Sequence, residues 1–186
     1  MRRTTHWILT GALMAAFVPA GAEAKAASSS VIQGLDLTPT AVGRVRVGGS
    51  ATAAEKMLRQ VLGPPDKAQN SKGCELAGPS AEPRRFLVWG ALTVTLAPTG
   101  GAGRLVGWTV SSGNVPPGLR LPYRITTSTT VRDAMRTIPG ATAHWDDVFQ
   151  MYWITTPRAA RMMWAGDRQD GTGRITYITD AFEPCE

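Results

Sequence analysis

The sequence predicts an α+β fold: two helix-plus-β-meander repeat units sharing one antiparallel sheet, with the helices packed on one face. Three observations carry that expectation. Two helix starts of the form threonine-x-x-acid stand 78 residues apart, Thr52-Ala53-Ala54-Glu55 and Thr130-Val131-Arg132-Asp133. An apolar stripe of helical period follows each. A Gly-Arg-Leu/Ile triplet then opens a return strand in each half, at Gly103 and at Gly173.

The chain opens with Arg2 and Arg3, an uncharged apolar stretch from Trp7 to Val18, and small residues forming two A-x-A sites at Ala20–Ala24. This is the pattern of a signal peptide over 1–24. The stretch falls short of the roughly 20 apolar residues a spanning helix needs, which sets cleavage above an uncleaved anchor. A secreted, extracytoplasmic product with no transmembrane anchor after cleavage is expected. Residues 25–41 are small and polar with Pro39 inside, and read as a flexible linker. A single α+β domain is expected over 42–186, its two units spanning about 42–113 and 114–186.

In the first unit the threonine oxygen of a capping box should satisfy free amides while Glu55 reaches back. Ala54, Met57, Leu58, Val61 and Leu62 then fall at i, i+3, i+4, i+7 and i+8, and Gly63-Pro64-Pro65 ends the helix. Phe86 to Leu96 alternates as one strand, with Phe86, Val88, Leu92, Val94 and Leu96 on one face and Leu87, Trp89, Thr93 and Thr95 on the other. Arg104 to Val110 returns. In the second unit Val131, Ala134, Met135 and Ile138 make the stripe, Pro139-Gly140 stops it, and strands follow over 148–154, 161–165 and 174–179. Neither unit buries enough surface to stand alone, so one fused core is expected.

The residues 45–66 carry a resemblance. Val45-Arg46-Val47-Gly48-Gly49-Ser50, followed by a short helix ending Leu62-Gly63-Pro64-Pro65-Asp66, resembles the repeat shared by β-lactamase-inhibitor proteins and small outer-membrane-assembly lipoproteins. There a V-x-x-G-M-[ST] start leads into a helix ending L-G-x-P and then a β-meander. Leu105-Val106-Gly107-Trp108 is similar to the return strand of exported actinobacterial proteins of this type. The second unit keeps the helix start but has Thr126-Thr127 in place of the glycines and Ile138-Pro139-Gly140 in place of L-G-x-P. The resemblance implies a binding or assembly module without a cofactor, and it carries over no contact residue.

The chemistry-bearing residues are few. The 20 basic and 14 acidic residues give a net charge of +6, spread without a run or a nucleic-acid motif, so no nucleic-acid partner is expected. An anionic wall polymer or an acidic protein would suit such a surface, as would simple solubility. Two cysteines, Cys74 and Cys185, most simply form one disulfide in an exported chain. Closing a loop of roughly 110 residues would contribute about 4–5 kcal/mol by chain entropy. A reactive thiol or an intermolecular bridge are the alternatives. His144, Asp146 and Asp147 read either as a metal or acid–base cluster or as a solvated turn. The turn is favoured, because adjacent aspartates diverge and no further ligand spacing supports a site; no metal is expected. Asp167, Asp170 and Gly171 match an incomplete calcium loop and fit an ordinary Asp-Gly turn better.

No serine lies in a nucleophile elbow or an S-x-x-K motif, so the sequence leans away from an enzyme. The leading function is an exported, non-catalytic protein-binding module, inhibitory or related to envelope assembly. The rivals are a secreted hydrolase using His144 and a wall-polymer binder. Two helices cover one sheet face, so aromatics on the other would form the contact surface. Trp89, Trp108, Tyr152, Trp153 and Trp164 are the candidates; a core position for them is the competing reading.

Overall fold

Ser50 decides where the first helix begins. Its hydroxyl accepts a hydrogen bond from the backbone N–H of Ala53 (3.3 Å), and α1 runs Ala51–Leu62. Thr52, the expected cap, lies inside the helix. Thr130 caps α2, Val131–Thr137, as expected: its hydroxyl accepts from the Asp133 N–H (3.1 Å) and donates to the Asp133 carboxylate (2.7 Å). A cap contributes about 1 kcal/mol. The buried stripe contributes more, roughly 1.5–3 kcal/mol for each large aliphatic side chain removed from water. Ala54, Met57 and Leu58 supply it in α1, and Val131 and Ala134 with the following Ile138 in α2.

The computed structural model describes residues 34–72, 82–97 and 103–180. The expected signal peptide, residues 25–33 of the expected linker, Cys74 and Cys185 lie outside the described residues. These described residues belong to one compact unit and form a mixed α+β fold with two helices and two sheets.

The small sheet is the first correction. It joins β1 (Leu35–Thr38), β2 (Ala41–Val42), β3 (Val45–Arg46) and β8 (Leu119–Arg120) in the order β3-β2-β1-β8, with β1 and β8 parallel. Residues 34–41 are therefore not linker. Leu35 and Leu37, alternating over four residues, are almost fully buried and so hold this segment in the core. Asp36 and Arg120 pair across the parallel strands (2.7 Å).

The large sheet has eight antiparallel strands in the order β4-β5-β6-β7-β12-β11-β10-β9. These are β4 (Lys67–Ser71), β5 (Arg84–Trp89), β6 (Leu92–Ala97), β7 (Arg104–Ser111), β9 (Thr142–Asp146), β10 (Met151–Thr155), β11 (Met163–Gly166) and β12 (Ile175–Thr179). The expected single strand over 86–96 is two, folded back at Gly90-Ala91 so that Trp89 pairs with Leu92. Gly90 takes φ +54, and a Cβ there would run into the carbonyl oxygen of Asn114. Asp66 accepts its N–H (2.6 Å).

Directly paired residues of an antiparallel sheet point to the same side. One side therefore carries the row Trp89–Leu92–Val110–Ile178–Trp164–Ile154, crossing six strands, and every member is buried. Both helices and the small sheet touch this side. Glu55 of α1 pairs with Arg85 (2.8 Å), the Trp89 indole donates to the Gly63 carbonyl (3.0 Å), and Val131 of α2 lies against Gly166. The Trp108 indole donates to the Thr38 carbonyl of β1 (2.9 Å).

Candidate functional site

The opposite side of the large sheet is built from different material. Its centre holds Thr95, Thr109, Thr179 and Ala165, all buried. Towards the β4 end Phe86 and Val88 stand half-buried; Tyr177, Met163, Met151 and Trp153 do so across the β12–β10 half. Thr109 and Tyr177 approach at 3.4 Å through their hydroxyls. At the β12–β7 seam the Asp180 carboxylate accepts the Trp108 N–H (2.6 Å). Arg161 donates to the carbonyls of Asp180 (3.3 Å) and Val106 (3.2 Å).

The candidate aromatics divide. Trp89, Trp108 and Trp164 are core residues, 4%, 1% and 0% exposed, on the side that carries the helices. This corrects the expectation of a contact-surface position for Trp89, Trp108 and Trp164. The turn at Gly90-Ala91 reverses the strand, so the odd residues of β5 share a face with the even residues of β6. Tyr152 is half-buried on the helix side, edge-on to Trp145 (5.4 Å), with its hydroxyl donating to the Gln169 carbonyl. Trp153 is the one candidate on the opposite side, and Phe149 stands edge-on to it (6.1 Å).

Val148 and Phe149 are the large apolar side chains most exposed among the described residues, 85% and 46%. Both sit in the four-residue turn between β9 and β10, a turn hydrogen-bonded by its neighbours. Asp146 accepts the N–H groups of Val148 (2.8 Å) and Phe149 (3.0 Å). Those bonds, the one from Phe149 first, hold the Asp146 carboxyl below its ordinary range against partial desolvation; the Trp153 side chain and the charge of His144 add to them. Asp147 accepts from the Trp145 indole (2.9 Å), and its carbonyl accepts from the Gln150 amide (2.7 Å). The expected His144/Asp146/Asp147 turn is in part strand: His144 and Asp146 lie on β9, and only Asp147 is in the turn. Among the described residues no group of three His, Cys, Asp or Glu is placed to hold a metal ion.

Asp167 and Asp170 organise their loop through backbone contacts. Asp167 accepts the Arg174 N–H (3.0 Å), and Asp170 accepts from the Thr172 N–H and hydroxyl (2.9 and 2.7 Å). A separate groove of about 330 Å³ lies at the end of α1, lined by Val61, Leu62, Pro64, Trp89, Pro116 and Pro117 among others. Among the described residues no helix is long and apolar enough to cross a membrane.

Sequence reasoning named Trp153 and left Phe149 and Val148 out of the site. The available signal was Asp146-Asp147, a turn pair that forces the two apolar residues after it out of the sheet. Compared with known protein families, curated proteins and solved structures, the chain matches none.

Proposed function

We propose that this chain is an exported, non-catalytic protein-binding module, inhibitory or related to envelope assembly. Its contact surface is the aromatic face formed by Phe149, Trp153, Met151 and Tyr177. The observation that carries the reading is the presentation of Phe149 and Val148 on a turn hydrogen-bonded to the Asp146 carboxylate, at the end of the sheet face opposite the two described helices. Large rings on a pre-ordered turn lose little freedom on binding and tend to dominate interface energy. The net charge, +6 for the full sequence and +5 once residues 1–24 with Arg2, Arg3 and Glu23 are removed, favours a partner with an acidic surface. Export to an oxidising compartment would pair Cys74 with Cys185.

In this reading the domain is a tandem repeat, in register 80 rather than 78. Ser50 and Thr130 are the equivalent caps, followed by Ala54 and Ala134, then Leu58 and Ile138, all four of the latter buried. Ser50 bridges to Arg104 as Thr130 bridges to Arg174. The register slips once between β6 and β7 at Val106 and once between β11 and β12 at Thr176. Such paired irregularities support duplication of one unit across the β7–β12 seam.

The test is capture from the culture medium and envelope fraction of the source cells. Wild-type chain should retain a protein that the Phe149→Ala/Trp153→Ala variant loses, and each single change should weaken binding by about 1–3 kcal/mol. Identical retention by wild type and variant would overturn the assignment of this face.

A further inference from the structure

We infer that β9 is a self-pairing edge, and that two copies of this chain join antiparallel through it about a dyad at His144. Among the described residues β9 is the last strand of the large sheet and pairs only with β10, leaving one side of its backbone without a strand neighbour. Edge strands of monomers are blunted by charged side chains, proline, bulges or cover. Thr142-Ala143-His144-Trp145-Asp146 has no proline, lysine or bulge, and its one carboxylate stands at the end of the strand, bonded to the turn amides. The opposite edge, β4, begins with Lys67.

The sequence of β9 complements itself. Centring an antiparallel pair on His144 is the one arrangement that pairs all five residues. It sets Ala143 against Trp145 of the second copy and Thr142 against Asp146 of the second copy. The indole meets the smallest side chain of the strand, and the carboxylate meets a hydroxyl. Trp145 is already held on its inner side by Tyr152 and Asp147, so little freedom is lost when its outer edge is covered. Centring on Trp145 would oppose two indoles and draw in Asp147, which belongs to the turn. A dyad at His144 closes after two copies. It makes the two large sheets continuous and puts both Phe149/Trp153 clusters on the same side.

The test is the mass of the purified full chain in solution, by light scattering on a sizing column, with His144→Lys and His144→Glu. His144 is exposed, so both variants should fold, which circular dichroism verifies. Wild type should run at double the chain mass, each variant alone at the chain mass, and an equal mixture of the two at double mass again. A monomeric wild type would overturn the proposal, as would open-ended oligomers, which a β4-to-β9 contact would give. A dimeric His144→Lys would overturn the register, because a dyad at Trp145 sets residue 144 against Asp146. A monomeric mixture would overturn it too.

Discussion

The indole N–H of Trp108, on β7, donates to the backbone carbonyl of Thr38, on β1, across 2.9 Å. That bond ties the large sheet to a segment whose sequence reads as tether. The ring is 1% exposed, so the contact combines a large apolar burial with one satisfied polar group on each side. Trp108→Ala should cost about 3–5 kcal/mol of unfolding free energy. Trp108→Phe keeps most of the ring and leaves the Thr38 carbonyl without its donor, which should cost about 1–3 kcal/mol. Urea unfolding of the two variants measures both. A Trp108→Ala protein as stable as wild type would contradict the core placement.

The helix caps give a matched pair of expectations. Ser50→Ala and Thr130→Ala each remove an acceptor from a first-turn amide and should each cost about 1 kcal/mol. Thr52→Ala, inside α1, should leave stability nearly unchanged or raise it slightly, since alanine is the better helix former. Denaturation midpoints rank the three, and a larger loss at Thr52 than at Ser50 would restore Thr52 as the cap.

The helices, the α+β class and, in outline, β10, β11 and β12 were legible because their patterns are local. β9 instead reads as a turn, and the strand expected over 148–154 begins at Met151. Ala54, Leu58, Ala134 and Ile138 recur at helical spacing, and burial alone explains that. The mistaken placement of Trp89 has a geometric cause. Phe86, Val88, Leu92, Val94 and Leu96 keep even numbers through Gly90-Ala91, so alternation appears unbroken. A two-residue turn folds the strand back, and residue 89 then pairs with 92. Sequence parity and face thus separate at the turn. β4 carries Lys67, Gln69 and Asn70, with no apolar alternation to reveal it, because an edge strand buries little. β1 is too short for its two leucines to look periodic. Phe149 was left out of the site because 148–154 reads as one strand, whereas the chain stays in the turn after Asp146 until Met151.

Gly166 tests how closely α2 lies on the sheet. A Cβ added there would collide with Cγ2 of Val131. Gly166→Ala should therefore destabilise by about 1–3 kcal/mol, the range for overpacking a tight core. Val131→Ala removes the obstructing methyls at its own cavity cost. In the double variant the two losses should not add, with at least 0.5 kcal/mol recovered. Additive losses in a double-mutant cycle would mean that the helix and strand do not meet here.

Acid should loosen the fold through carboxylates that the native state holds ionised. Arg120 lowers the Asp36 pKa and Arg84 with Arg104 lowers that of Glu82. The Phe149 and Val148 amides lower Asp146, and Thr172 lowers Asp170. A carboxylate whose native pKa lies below its unfolded one binds fewer protons when folded. Its contribution is complete above the ordinary carboxylate range and is lost as pH falls through that range to the lowered native value. Unfolding free energy should accordingly be flat near neutrality and decline once pH enters the carboxylate range. Asp146→Asn keeps an acceptor oxygen for the two turn amides but removes the titration, so this variant should show a shallower decline than wild type. Chemical denaturation at a series of pH values reads the slope. An unchanged slope in Asp146→Asn would mean that the turn amides do not favour the charged carboxylate, and the presentation of Phe149 would lose its electrostatic support.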